Sequence, residues 1–243
     1  MSTKLLIAAL AVAFNISTAF AADDFAAIKA TVQKHFKDVP VDSIKTTPID
    51  GLYEVQSHYD LIYFYPKGEI FVLGQLISPD GKSITVASRD KIVEKTVAGL
   101  DLSKAIKTGS GKNIVIEFID PDDSISRSTA EFWKTKSSVT RYSFLYVSTS
   151  ENKEAAQIAE WILSQKDKAA ALEEVLSGKH DQAVPEGATD EGRALFKENL
   201  RYAQNAHVES TPQSYINNKL FIRPDYEGFT RALGEGEPQA EGK

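Results

Sequence analysis

The residues best placed to do chemistry lie in one stretch. Residues 113–127 read NIVIEFIDPDDSISR and put Asp120, Asp122 and Asp123 beside Ser124 and Ser126. Clustered carboxylates and hydroxyls can hold a cation, cap a helix or activate a nucleophile, and each use demands its own spacing. Asp120, Asp122, Ser124, Ser126, Ser128 and Glu131 fall at positions 1, 3, 5, 7, 9 and 12 of a calcium loop. That loop wants glycine at position 6, where Ile125 stands, so the stretch reads as a solvated acidic turn. Ser126, His207 and Asp123 have the types of a hydrolytic triad. No G-x-S-x-G elbow surrounds the serine, and nothing in the sequence activates it. The SGK at 110–112 is a fragment of a phosphate loop and reads as a turn. The four histidines, His35, His58, His180 and His207, have neither metal spacing nor a carboxylate in register. The chain contains no cysteine, which excludes thiol catalysis and thiolate metal sites. No cofactor and no metal is implied.

These residues need a scaffold. Ile114, Val115, Ile116 and Phe118 make a buried strand that runs into the acidic turn, and a helix is expected from about 124 to 136. A strand follows at 142–147, then helical regions at about 151–177 and 189–204. A hairpin at 213–216 and 219–222 and a last helix near 226–233 close the order. Strands alternating with helices imply a mixed sheet covered on both faces. Upstream, Phe25, Ile28, Val32 and Phe36 mark an amphipathic helix over 24–37. Strand-like runs at 51–54, 61–65 and 69–77, with turns at Pro48–Gly51, Pro66–Gly68 and Pro79–Gly81, predict an antiparallel meander. Residues 83–86 are expected to add one more strand. The aromatic cluster Tyr59, Tyr63, Phe64, Tyr65 and Phe71 reads equally as core or as an interface face; in the second reading alternation buries Phe64 and exposes Tyr63 and Tyr65. Residues 89–107 read as a charged, partly helical linker hinged at Gly99.

The first 21 residues carry Lys4, an apolar run from Leu5 to Phe14, and small residues at Ala19 and Ala21. That is the pattern of a secretory signal with cleavage near Ala21, and the run is too short to span a membrane. Export to a periplasm is the simplest expectation. The net charge is −6, and loss of Lys4 makes it one more negative. Such acidity gives no support for binding nucleic acid or an anionic membrane surface. The Gly/Glu-rich tail, 235–243, has a disordered composition.

Several blocks together resemble the DsbC/DsbG family of periplasmic protein disulfide isomerases. They are TTPIDGLYEV (46–55), IYFYPKGEIFVLGQLISPDGKSIT (62–85), LSKAIKTGSGKNIVIEFIDPD (102–122), KDKAAALEEVLSGK (166–179) and VESTP (208–212). The resemblance implies an α+β chain. A cystatin-like antiparallel-sheet dimerisation domain over 22–87 would be followed by a linker over 88–111. A thioredoxin-like domain with a helical insertion would cover 112–234. It also implies a homodimer whose apolar cleft holds unfolded polypeptide clients, and a Thr211–cis-Pro212 loop that offers backbone to a client. The family's D-P-x-C-x-x-C corner appears here as residues 120–126, with Asp123 and Ser126 at the two cysteine positions. The second disulfide of many members is gone too, with Ile162 near one of its positions. A helix N-terminus that stabilises a thiolate also favours a carboxylate, so Asp123 reads as an N-cap in place of the nucleophile. The expected function is therefore non-enzymatic, a chaperone-like binder of polypeptides. Two alternatives remain: a component that holds one partner in an envelope secretion or conjugation apparatus, and a thiol:disulfide interchange protein by descent, which the lack of cysteine opposes.

Overall fold

The computed structural model describes residues 22–147, 152–217 and 219–235. The signal-peptide reading of residues 1–21 and the tail reading beyond Glu235 lie outside the described residues. By contacts the chain divides into two compact units. One runs through Ser57 and takes up again at Ile62–Val72. The other holds His58–Leu61 and everything from Leu73 onward.

The first unit opens with α1 (Ala22–His35), followed by β1 (Ser43–Thr46), β2 (Tyr53–Ser57), β3 (Asp60–Tyr65) and β4 (Ile70–Val72). The strands form one sheet in sequence order, and the β1–β2 and β3–β4 pairs are antiparallel. Ile28 and Val32 from α1 pack on Val55 and Phe64 of the sheet. Phe64 stacks on Phe71, with centroids 4.6 Å apart. Of the two readings of the aromatic cluster, Tyr63 takes the core one: it is fully buried like its neighbour Phe64. The alternation argument assumes one wet face, and β3 has none at this point.

The second unit takes up again at Leu73. Residues 83–86 are not a strand. Ser83 caps α2 (Ile84–Ala98), its hydroxyl accepting the Val86 N–H at 3.1 Å. The linker stretch is helical to Ala98, and Val93 and Val97 are buried against Phe118, Phe144 and Tyr215. Gly99 is the C-cap of this helix. The chain then makes an edge strand that the sequence reading did not see, β5 (Ile106–Gly109). After it come β6 (Asn113–Ile119), α3 (Ser124–Lys134), β7 (Val139–Leu145), α4 (Lys153–Ser164) and α5 (Lys168–Leu176). The unit closes with α6 (Asp190–Asn205), β8 (Gln213–Ile216), β9 (Lys219–Phe221) and α7 (Tyr226–Ala232).

The sheet order is β5-β7-β6-β8-β9. Only β6–β7 is parallel among its pairings. Helices cover both faces. Val115 of β6 packs with Trp133 of α3 and Phe229 of α7. On the other side Ile116 and Phe118 pack with α2 and with Ala203 of α6. The TGSGK segment joins β5 to β6 as a tight turn. A Cβ on Gly109 would stand 2.4 Å from the Val139 carbonyl oxygen, and one on Gly111 would stand 1.9 Å from the Ser138 carbonyl carbon. Those glycines serve a close backbone crossing, not a phosphate.

Candidate functional site

At the end of β6 the chain turns through Asp120, Pro121 and Asp122 into α3. The Asp122 N–H donates to the Asp120 carboxylate at 3.0 Å. The Asp123 N–H donates to the Asp120 carbonyl at 3.2 Å. Asp123 is the N-cap of α3, with extended backbone (φ −82°, ψ 131°). Its Oδ2 accepts both the Ser126 N–H at 2.8 Å and the Ser126 hydroxyl at 3.0 Å. A cap of this kind is worth about 1 kcal/mol over alanine. The two positions expected to replace cysteines are thus hydrogen-bonded to each other, and Ser126 is only 1 % exposed.

The expected loop partner comes to the same end of the sheet. Gln213 pairs with Phe118 in the β6–β8 register, so Thr211 and Pro212 lie beyond it toward the acidic turn. The Thr211–Pro212 peptide is cis, and Pro212 is buried while Thr211 is half-buried. Exposed apolar side chains stand on the elements that meet here. Ile125, between Asp123 and Ser126, is 51 % exposed, and Ile222 is 49 % exposed. The Ser210 hydroxyl donates to the Ile222 carbonyl at 3.2 Å, joining that strand end to the Thr211–Pro212 loop. Tyr226 is also exposed, and its ring stacks on Phe132 of α3 with centroids 4.8 Å apart.

The hydrolytic triad is not assembled. Ser126 is bonded to Asp123, while His207 lies flat on Tyr59. Three of the histidines each lie near a single carboxylate. His35 is 3.9 Å from Glu69, His180 is 3.3 Å from Glu174, and His207 is 3.1 Å from Glu209.

The charges at and below the corner interact in ways that the sequence alone does not show. Burial pushes the Asp120 carboxyl up to about 6; the hydrogen bond from the Asp122 N–H opposes this and the charges of Asp122 and Asp123 add to it. Arg127 forks onto Asp181, with Nη1–Oδ2 at 3.0 Å and Nη2–Oδ1 at 2.7 Å, and also reaches Asp122 at 3.3 Å. The Asp181 hydrogen bonds and charge raise the Arg127 pKa further and hold the Asp181 carboxyl below the usual carboxylate range. A cleft of about 230 Å³ is lined by Asp122, Ser124, Arg127 and Asp181. The guanidinium that could attract an anion there is already held by carboxylates. Beneath α3, Glu117 is 1 % exposed in the middle of β6. It accepts the Ser143 hydroxyl at 2.6 Å, and Arg141 Nη1 lies 3.6 Å from it. The signal for Glu117 was visible as one acid inside an apolar strand. Asp181, 54 residues from Arg127, left no such signal.

Residues 19–86 match the family described as disulfide bond isomerase protein N-terminal domain, and residues 93–235 match the family described as thioredoxin. No curated protein matches the chain. Several solved structures are similar over part of the chain. A disulfide interchange protein from Neisseria gonorrhoeae is 23 % identical, with a TM-score of 0.48, over 56 % of this chain and 97 % of its own. The thiol-disulfide exchange protein alpha-DsbA2 from Wolbachia pipientis is 15 % identical, with a TM-score of 0.47, over 61 % and 97 %. The catalytic domain of Proteus mirabilis ScsC is 13 % identical, with a TM-score of 0.44, over 58 % and 97 %. At these scores the assignment rests on the two family models.

Proposed function

The chain belongs to the disulfide isomerase family, with a DsbC-type N-terminal domain and a thioredoxin-like C-terminal domain, and from that premise we propose that it binds unfolded or partly folded polypeptides without redox chemistry. Thiol–disulfide exchange needs a thiolate that forms a mixed disulfide, and this chain has no cysteine. The observation that carries the reading is the corner itself. It keeps its strand, turn, helix and Thr211–Pro212 loop, while its two reactive positions are an aspartate and a serine bonded to each other. What the corner still offers is exposed apolar surface: Ile125 at the start of α3, Ile222 bonded through its carbonyl to Ser210 of that loop, and Tyr226 stacked on Phe132 of α3. Surface of this kind suits apolar segments of a client, and the loop backbone suits an extended chain by strand addition.

Dimerisation through the N-terminal domain belongs to the same reading. Among the described residues β4 pairs only with β3, so its outer edge is open. Ile70 and Val72 on that strand are exposed, and Leu73, next in the chain, is more exposed still. An apolar open edge is a pairing site for another chain, and a second copy is the occupant we assign to it. The leader-like residues 1–21 send the protein to the periplasm in this account.

The test is the aggregation of a chemically denatured, cysteine-free client, which removes any role for thiols. The wild-type protein is expected to slow aggregation. The double variant Ile125→Asp, Ile222→Asp is expected to lose most of that effect with its thermal midpoint unchanged, since both side chains face solvent. Failure of the wild type to slow aggregation overturns the proposal. Capture of a single stoichiometric partner in place of many clients favours an assembly component.

A further inference from the structure

The end of α6 holds a histidine where glycine is the usual choice. The Val208 N–H reaches the Ala203 carbonyl at 2.9 Å, and the His207 N–H reaches the Gln204 carbonyl at 3.0 Å. This helix closure places one residue in left-handed backbone, which glycine adopts without steric cost. Here that residue is His207, with φ 50°. A side chain kept at such a position calls for a compensating contact.

The ring makes one. His207 lies flat on Tyr59, with centroids 3.6 Å apart and planes 11° from parallel. The Arg89 guanidinium of α2 lies 5.5 Å from the centre of the same Tyr59 ring. Tyr59 stands in the short turn between β2 and β3, beside His58, which is also left-handed at φ 53°. Tyr59 packs against the cluster that includes Val93 and Val208. His207 Nε2 is 3.1 Å from Glu209 Oε1. From this stack the chain runs through Glu209 and Ser210 into Thr211 and Pro212.

We infer that the Tyr59–His207 stack, with Arg89 on the Tyr59 ring, positions the 207–211 loop for capture of an extended polypeptide. The inference rests on the polypeptide-binding reading above. A stacked ring fixes the side chain and with it the backbone of His207, four residues before Thr211. A loop already ordered in its binding conformation avoids the entropy cost of ordering on capture. Tyr59 and His207 are then positioning residues: they act through the loop and do not touch the client.

Two measurements test this in the full chain. Amide hydrogen exchange at residues 208–211, in protein without client, is expected to rise about tenfold in His207→Gly and in Tyr59→Ala, the scale of one aromatic pair. Tyr59→Phe keeps the ring and is expected to restore wild-type exchange. The affinity for a fluorescently labelled denatured client is expected to fall by a similar factor in the first two variants and to return in Tyr59→Phe. The urea midpoint of His207→Gly is expected to stay close to wild type, because glycine removes the left-handed cost together with the stack. Unchanged exchange in His207→Gly overturns the inference, and so does unchanged client affinity with a loosened loop. A wild-type protein that binds no client removes the polypeptide reading instead, and that result comes from a separate experiment.

Discussion

Replacing Arg141 with methionine is expected to cost about 3–5 kcal/mol of folding stability, the range found when one partner of a buried ion pair is removed. Glu117 sits on the central strand with its side chain 1 % exposed, and the Arg141 side chain is 11 % exposed. The β6 register places Glu117 between Ser143 of β7 and Ser214 of β8. Ser143 donates to it, and the Ser214 hydroxyl is buried with no hydrogen-bond partner. Arg141 is anchored separately, its Nε donating to the Thr108 hydroxyl at 3.1 Å. Methionine keeps much of the arginine's apolar volume, so the loss reads the charge and not a cavity. The double variant Arg141→Met, Glu117→Leu is expected to recover most of the lost stability, since a buried pair is often matched by apolar residues of similar size. Urea unfolding of the two variants checks this. A loss below about 1 kcal/mol in Arg141→Met, the scale of an exposed pair, would show that the pair does not hold the carboxylate in place.

Asp120→Asn is expected to act in the opposite direction. Burial raises the Asp120 pKa from 3.8 to about 6 in the folded protein. The folded state therefore holds its proton more tightly than the unfolded chain does. The stability linked to this proton is fully present below pH 4 and is lost as pH rises through 6. A shift of this size corresponds to at most about 3 kcal/mol. Asparagine stays neutral and can still accept the Asp122 N–H through its side-chain oxygen. The variant is expected to be about 1–3 kcal/mol more stable than wild type at pH 8 and equal to it at pH 4. Denaturant titrations at pH 4, 6 and 8 check the trend. A difference that does not change with pH would mean that Asp120 does not titrate as described.

Much of the fold was legible for specific reasons. The apolar run of β6 followed by Asp-Pro and a cap announced the corner, and the β8–β9 hairpin stood between clear turns. Residues 83–86 misled because Ile84, Thr85 and Val86 all favour strands. Ser83 as N-cap and the burial of Val93 and Val97 outweighed that preference. β5 was missed because four residues at the edge of a sheet carry too little pattern inside a charged stretch. β1 was missed for the same reason.

At the site, the cap role of Asp123 was legible because it depends on neighbours three residues away. Arg127–Asp181, Glu117–Arg141 and Tyr59–His207 were not. Each joins elements that only the folded chain brings together, and the left-handed backbone of His207 has no mark in composition. The exposure of Ile125 was also not legible, because it depends on which face of α3 the sheet takes.

The proposed protein is a dimer that holds polypeptides without thiols. Light scattering on the chain from residue 22, alone and with a denatured cysteine-free client, measures both properties. The mass of two chains is expected for the protein alone, and a heavier soluble complex once client is added. A single-chain mass, with the client precipitating as though the protein were absent, would contradict the proposal.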